Sequence, residues 1–131
     1  MTVAELEARC SVLEPGVVLL REVANGTAET YEVMTDRAIE LGSQFGRFAL
    51  VVDLEDVSVR PKAGYLEQIK RSMVVAEHLA VTQPRSAFLR IVAGFVIARM
   101  SSKTSSHDSI AAATVACRRA LRAAEQSTEV R

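Results

Sequence analysis

The stretch FALVVDL, residues 48–54, decides the predicted fold of this chain. It is a continuous apolar run with β-branched side chains, short enough for a strand, and it follows a predicted helix that itself follows a strand. Such a run is typical of a parallel strand that is buried on both faces. We therefore expect residues 48–54 to form a central strand, connected to its neighbours by helices.

A hairpin is predicted at the N-terminal side of this strand. Residues Arg9 to Leu13 and Val17 to Val23 are β-like runs, and Pro15 and Gly16 between them supply the φ angles of a type II turn. The second run is apolar on both sides near its start, which places it inside the sheet rather than at its edge.

The first helix is predicted between this hairpin and the central strand. Thr27 or Thr30 caps it, and Gly42 or Gly46 ends it. Its buried stripe consists of Tyr31, Met34, Ala38 and Leu41.

Two helices and a short strand are predicted next. Pro61 is placed in the first turn of the second helix, whose apolar side carries Ala63, Leu66, Ile69, Met73 and Ala76. A strand at residues 78–82 leads through Pro84 to the third helix, in which Phe88, Val92 and Phe95 face inward. Gly94 in this helix costs stability relative to Ala, which suggests close packing there.

The C-terminal part is predicted to hold a brief edge strand or a loop within residues 101–106, and then a last helix. Asp108 or Ser109 caps this helix, and the tail from Glu125 is expected to fray. Its buried stripe is Ile110, Ala113, Cys117, Ala120, Leu121 and Ala124. The order ββαβαβα(β)α predicts an α/β fold bordering on α+β, with a mixed sheet of four to five strands and about four helices.

Composition narrows the class of protein. The 131 residues suit one domain, and sixteen basic residues balance sixteen acidic ones. With 5% aromatic residues and no Trp, a nucleic-acid partner is not expected. Cys10 and Cys117 lack metal-ligand spacing, and the N-terminus lacks a signal-peptide pattern. We predict a cytoplasmic domain with free thiols, no cofactor and no membrane-spanning segment.

Four features together resemble the STAS domain family, which comprises the anti-sigma-factor antagonists and related domains of sulfate transporters. They are the Pro-Gly hairpin, the strand at residues 50–54 followed by Glu-Asp-Val, the loop ending in Pro-Lys-Ala-Gly at residues 61–64, and the terminal amphipathic helix. The resemblance implies a regulatory domain switched by phosphorylation of a serine. Aligned on Gly64, the family's serines fall at Lys62 and Ala63, so that serine is missing; Ser58 in the loop is an acceptor only for a different kinase geometry.

A partner or anion contact is predicted around the start of the second helix. Arg60 and Lys62 oppose the helix dipole there, and Arg85 near the start of the third helix is expected at the same sheet edge. The contact surface would be the loop from Val57 to Tyr65, which includes Ser58, together with the second helix. The alternative is that the three cations are solvated or paired with Glu55, Asp56 and Glu67.

Three other constellations have plainer alternatives. Asp53, Glu55 and Asp56 are placed where α/β enzymes carry carboxylates, but a solvated strand end, or a partner for Arg60 and Lys62, explains them as well. The serines at 101, 102, 105 and 106 with His107 and Asp108 offer a nucleophile, a base and an orienting group, whereas a loop and helix cap is the simpler interpretation. His78 is expected at a helix end, in a structural role that favours its charged form.

An apolar pocket is the last candidate site. Such a pocket could be lined by Phe88, Val92, Phe95 and Met100 with Met34 and Met73, although core packing explains the same spacing. Part of this apolar surface could instead form a homodimer interface, if all the helices lay on one side of the sheet.

The sequence thus favours a non-enzymatic regulatory module that binds an unidentified protein. One alternative is a domain that binds a small apolar or anionic ligand, and another is an enzyme that uses Asp53 or Asp56. A ligand-binding domain should have an enclosed apolar pocket, an enzyme should have carboxylates of raised pKa in a cleft, and an interaction module should have neither.

Overall fold

The computed structural model describes residues 1–98 and 103–129, apart from the side chains at 88, 92, 95–98, 128 and 129. In these residues, a mixed sheet is built from β1 (Cys10–Glu14), β2 (Val17–Arg21), β3 (Ala49–Asp53), β4 (Leu79–Thr82) and β5 (Thr104–His107). The helices are α1 (Val3–Glu7), α2 (Ala28–Ser43), α3 (Tyr65–Val75), α4 (Ala87–Ala98) and α5 (Ile110–Glu129). The strand order is β1-β2-β3-β4-β5, with β1 antiparallel to β2 and the other neighbours parallel. The predicted α/β class with a mixed sheet is confirmed.

The strand β3 is the centre of the sheet, as its apolar run predicts. All five of its residues are buried, and Leu50 lies opposite Val18 of β2 and Leu79 of β4. The prediction that β2 lies inside the sheet is also confirmed, because β1 and β3 pair with its two edges. Gly16 in the hairpin turn has a φ of 84°, the conformation that the type II turn requires.

Helices cover both faces of the sheet. On one face, Met34 and Ala38 of α2 and Ile69 of α3 pack with the side chains of Val18, Leu20, Leu50, Val52, Leu79 and Val81. On the other face, α5 contributes Ala113 and Cys117 to a second core with Val17, Leu19, Ala49, Val51 and Ala80. The argument for a homodimer required all helices on one side, so the position of α5 removes that argument.

The two cysteines are free and buried in different cores. Cys10 Sγ donates to the backbone oxygen of Met34 at 3.4 Å, and Cys117 Sγ donates to that of Leu50 at 3.5 Å. Burial raises the pKa of each thiol to about 12. The sheet lies between the two residues, which explains why they do not form a disulfide in this fold.

The N-terminal boundaries differ partly from the sequence prediction. The short helix α1 was missed; Thr2 caps it, and the Glu5 side chain accepts a bond from the Thr2 backbone in return. Of the two predicted caps of α2, Thr27 is the one observed. Its hydroxyl accepts a bond from the Thr30 backbone, and the Thr30 hydroxyl accepts one from the Thr27 backbone. The helix α2 ends at Ser43, beside the predicted stop at Gly42.

The predicted start of the second helix at Pro61 is wrong. The helix α3 begins at Tyr65, after Gly64 with a φ of 94°, and residues 61–64 belong to the preceding loop. Gly64 provides the reason, because a left-handed residue cannot lie inside an α-helix that begins at Pro61. Ala63 and Leu66 are therefore exposed, whereas Ile69 and Ala76 lie in the core as predicted.

The C-terminal third confirms the edge strand and corrects two details. The strand β5 pairs with β4 alone, and Ser109 caps α5 by accepting a bond from the Ala112 backbone. Gly94 is exposed, and a Cβ there would meet nothing within 4 Å, so close packing does not explain this glycine. The helix α5 continues to Glu129, past the predicted start of fraying at Glu125.

In the described ranges, we find no helix with the length and apolar character needed to cross a membrane.

Candidate functional site

A cavity of about 620 Å³ opens at the carboxyl edge of the sheet. We call it the edge cavity. The loop from β3 to α3, the start of α3, and α4 enclose it above β4. Its wall is largely apolar and includes Val57, Val59, Leu66, Ile69, Leu79, Val81, Leu89 and Ala93. Carboxyl ends of parallel strands are where open α/β sheets usually bind ligands.

Glu22 is the polar residue buried most deeply in this wall. It follows β2 and continues the alternation of Val18 and Leu20, so its side chain is on the face that α2 and α3 cover. The residue is 4% exposed, and its Oε2 makes no hydrogen bond with any described part of the chain. Burial raises the pKa of the Glu22 carboxyl to about 7, against a smaller opposing effect of the Arg9 guanidinium.

Two tyrosines stand beside Glu22 in the edge cavity. The rings of Tyr31 and Tyr65 meet edge to face, with 4.8 Å between their centroids and 62° between their planes. The Tyr31 hydroxyl accepts a hydrogen bond from the backbone N–H of Lys62 at 3.2 Å, which fastens the loop to α2. Burial, with Glu22 and Tyr31 nearby, raises the pKa of Tyr65 well above its usual value.

Arg9 is close to Glu22 but is bonded elsewhere. Its Nε donates to the backbone oxygen of Arg21 at 2.7 Å, and its Nη2 donates to the backbone oxygen of Glu22 at 2.9 Å. The same Nη2 lies 3.3 Å from an oxygen of Asp56. The guanidinium thus holds the end of β2 to the loop after β3, and it forms no ion pair with the Glu22 carboxylate.

The five residues predicted as a contact site are divided between two places. Arg60, Lys62 and Tyr65 line the edge cavity, the two cations being exposed at its rim. Ser58 and Arg85 line a smaller groove of about 290 Å³ together with Glu55 and Asp56. Arg60 and Lys62 thus line a different pocket from Arg85, Val57 of the loop after β3 lines both pockets, and the convergence of the three cations stays a prediction.

Ser58 and Arg85 each have partners in the smaller groove. The backbone N–H and the hydroxyl of Ser58 both donate to the backbone oxygen of Ala24, at 3.2 and 3.1 Å. Arg85 Nη2 lies 2.9 Å from Glu55 and 3.9 Å from Asp56, and the bond to Glu55 raises the pKa of Arg85. For Arg85, the paired alternative given by the sequence is confirmed.

The carboxylates of the acidic cluster after β3 form hydrogen bonds and ion pairs with neighbouring residues. Asp53 is buried, and its Oδ1 accepts from the Thr82 hydroxyl at 2.5 Å and from the Glu55 backbone at 3.1 Å. Its Oδ2 lies 3.6 Å from Arg21. Asp56 lies within 4.0 Å of Arg9, Arg21 and Arg85. These carboxylates join strand ends and loops, and neither Asp53 nor Asp56 lines the edge cavity.

A serine between two histidines lies on the other side of the sheet. Ser105 Oγ is 2.7 Å from Nε2 of His78 and 2.7 Å from Nε2 of His107. A hydroxyl donates only one hydrogen bond, so at least one of these histidines donates its own N–H to the serine. His78 lies between α3 and β4, and burial together with His107 lowers its pKa. The predicted charged role at a helix end is therefore wrong.

This histidine cluster differs from the predicted serine, histidine and aspartate arrangement. Ser105 and His107 are two residues apart in β5, so their side chains project to the same side of the sheet. His78 directly precedes β4, the strand next to β5. Among the side chains that the structure describes, no carboxylate accepts a bond from either ring, and Asp108 does not join them. Without an orienting group, the cluster lacks the third member of a catalytic triad.

Two of the six residues of the predicted apolar pocket lie in the core and not in the described wall of the edge cavity. Met34 is fully buried in the core, and Met73 packs against the same core. The side chains of Phe88, Val92 and Phe95, and all of Met100, lie outside the described residues. The search for metal sites within residues 1–98 and 103–129 found no group of three or more His, Cys, Asp or Glu side chains suitable for an ion.

Glu22 was missed as a site residue, although its position in the sequence carried a signal. It is an acidic residue at an inward position of an apolar strand pattern, where Val18 and Leu20 precede it at spacings of two. A charged residue in that register has either a buried partner or a ligand. The loop after β3 and α4 form a cavity next to Glu22. Their positions depend on contacts between residues far apart in sequence, so the cavity could not be predicted from the sequence.

Comparisons with models of known protein families, with curated proteins and with solved structures found no match to this chain. Membership of the STAS family therefore stays a prediction.

Proposed function

We propose that this chain is a non-catalytic domain that binds a small, largely apolar molecule in the edge cavity. The observation that carries the proposal is the combination of an apolar wall around about 620 Å³ with a few convergent polar groups, Glu22, Tyr31 and Tyr65. Cavities of this size and composition are typical of small-molecule sites. The Asp53 and Asp56 carboxylates of the enzymatic alternative are engaged in structural bonds, which makes catalysis there less well supported. Glu22 has the raised pKa in a cleft that an enzyme would show, but no described group is hydrogen-bonded to its Oε2 to move a proton with it, so we assign it to binding.

Filling the edge cavity tests the proposal. Ala93 of α4 lines it, so Ala93→Phe places a ring in the space that a ligand would occupy, whereas Ile91→Phe adds a ring at an exposed position of the same helix. The probe is the neutral dye phenylnaphthylamine, whose fluorescence rises in an apolar environment. We expect saturable binding with one dye per chain, weakened more than about tenfold by Ala93→Phe and unchanged by Ile91→Phe.

Two results would contradict this function. One is a dye titration of the unaltered protein that does not saturate. The other is equal affinity of the unaltered protein and the Ala93→Phe variant, with melting curves confirming that both are folded.

A regulatory interaction through the loop and α3 is the second candidate function. Val59 and Leu66 are 42% and 50% exposed on this surface, next to the exposed Arg60 and Lys62. The same loop forms part of the wall of the edge cavity, so a bound ligand would change the surface that a partner protein contacts. The start of α3 directly after Gly64 supports the alignment with the STAS signature on that glycine. The free thiols of Cys10 and Cys117 accord with a reducing cytoplasm.

A further inference from the structure

Glu22 carries an energetic cost that the described residues do not offset. An isolated carboxyl buried in apolar surroundings costs several kcal/mol unless its oxygens are hydrogen-bonded. Here Oε2 is buried without a hydrogen bond from the described residues, and the residue lines an open space large enough for a ligand. A ligand that brings a donor or a positive charge to this carboxyl would lower the cost.

The charges of the groups around Glu22 indicate which kind of donor the site would bind. Arg9 is held by two backbone oxygens and by Asp56, so it does not neutralise the carboxylate directly. Cys10 and Tyr65 also lie near enough to Glu22 to interact with it electrostatically, and both are neutral at physiological pH because burial raises their pKa values. Arg9 therefore offsets the effect of burial on Glu22 only in part, and none of these neighbours donates a hydrogen bond to Oε2.

The tyrosine pair supplies a second feature that favours a cation. Tyr31 and Tyr65 both line the edge cavity, and their edge-to-face contact brings two aromatic rings together beside the carboxyl. Aromatic faces attract cations, most strongly where water is excluded. Aromatic side chains recur in sites that recognise organic ammonium groups, and a carboxylate is a strong acceptor for a charged donor. The cations Arg60 and Lys62 are at the exposed rim, where water screens their charge.

We propose that the ligand of the edge cavity is an apolar primary amine, whose ammonium group pairs with the Glu22 carboxyl beside Tyr31 and Tyr65 and whose hydrocarbon part lies against the apolar wall. This inference rests on the proposed ligand-binding function and adds the chemical class of the ligand. The amine binds as the ammonium ion, and no covalent bond forms.

Three matched probes test the inference: cyclohexylbutylamine, cyclohexylbutanol and cyclohexylpentanoate. They share a hydrocarbon part that does not absorb where tyrosine does, and they differ in the terminal group. The chain has no Trp and two Tyr, both of which line the edge cavity, so tyrosine emission reports directly on the site. We expect the amine to bind roughly ten- to a hundredfold more tightly than the alcohol, the range of a charge-assisted hydrogen bond, and the carboxylate to bind most weakly.

The variant Glu22→Gln keeps the shape of the side chain and removes its charge. It should bind the amine and the alcohol with similar affinity, while Glu32→Gln on the exposed surface of α2 should keep the preference for the amine. Glu22→Met, which is apolar and of similar length, replaces Glu22→Gln if that variant does not fold.

The outcomes separate this inference from the proposed function. Equal binding of the amine and the alcohol, tighter binding of the carboxylate, or an amine preference that survives Glu22→Gln would overturn the amine inference and leave the ligand-binding function intact. If none of the three probes changes tyrosine emission saturably, the ligand-binding function fails, and the inference fails with it.

Discussion

Gly42 of α2 lies so close to the ring of Phe48 that a Cβ on the glycine would be 2.2 Å from Cδ2 of that ring. Phe48 is buried beside the start of β3, so the ring has little room to move. The contact brings α2 directly against the residue that leads into the central strand. It therefore fixes the distance between helix and sheet at the end opposite the edge cavity.

Replacing Gly42 by Ala is expected to lower the free energy of unfolding by about 1–3 kcal/mol, because the added methyl group overpacks the core against Phe48. Gly94→Ala is the matched control, since its Cβ would meet nothing within 4 Å. That change should raise stability by about 1 kcal/mol through helix propensity alone. Urea denaturation measures both effects, and a Gly42→Ala protein as stable as the unaltered one would contradict the close contact.

Replacing Glu22 by Gln is expected to flatten the dependence of stability on pH. The pKa of Glu22 is about 7 in the folded protein against 4.5 for the unperturbed group, so the native state binds this proton more tightly. Stability is then present at low pH and is lost as pH rises from 4.5 through about 7, by about 3 kcal/mol in total. The nearby Cys10 and Tyr65 have raised pKa values and stay neutral in this range.

The measurement is urea denaturation at about pH 5 and about pH 8, with Glu32→Gln as the control for a general change of net charge. Between these two pH values, the unaltered protein should lose more stability than Glu22→Gln does. A Glu22→Gln protein with the same pH dependence as the unaltered chain would show that burial does not raise the pKa of Glu22 in the folded protein.

His78 is expected to titrate below 6.5, the value of an unperturbed imidazole. Burial and the nearby His107 both disfavour its charged form. Its contribution to stability is therefore present above pH 6.5 and is lost as pH falls toward the pKa of the folded state. NMR of the two imidazole rings measures this directly, and His107→Gln should bring the pKa of His78 closer to 6.5. A midpoint above 6.5 would contradict the assigned environment.

The double variant Arg60→Glu with Lys62→Glu tests the regulatory candidate. Both residues are exposed, so we expect a change in stability within about 0.5 kcal/mol, together with loss of the partner protein. Arg119→Glu is the control, since Arg119 is exposed on α5, which covers the other face of the sheet. Affinity capture followed by binding of purified components measures the effect. Undiminished binding of the same purified partner by the double variant would reject this surface.

Leu50→Asp is expected to abolish cooperative folding or to cost more than about 4 kcal/mol, because it buries a charge without a partner in the central strand. Val74→Asp is the control, at a position of α3 that is 81% exposed, and it should melt close to the parental temperature. Thermal unfolding followed by circular dichroism compares the two variants. A parental melting temperature for Leu50→Asp would show that Leu50 is not in the core.

Local patterns in the sequence were sufficient for most of the sheet. The run at residues 48–54 predicted β3, and the Pro15-Gly16 turn predicted the hairpin, because each depends on neighbours in sequence. The start of α3 was misplaced because Pro61 suits a helical first turn, whereas Gly64 adopts a left-handed conformation that excludes it from the helix. The capping box of α1 was overlooked, although Thr2 and Glu5 have its spacing.

The chain's own sequence determined the element order, the central position of β3 and the acidic residue at the inward register of β2, because these follow from hydrophobic periodicity and turn chemistry. Tertiary structure decided that Arg85 forms an ion pair with Glu55, whereas Lys62 lies at the rim of the edge cavity. It also decided that α4 and the loop after β3 enclose the edge cavity, which Glu22 lines. Those relationships join residues from separate elements, and a pattern along the chain carries no information about the distance between them.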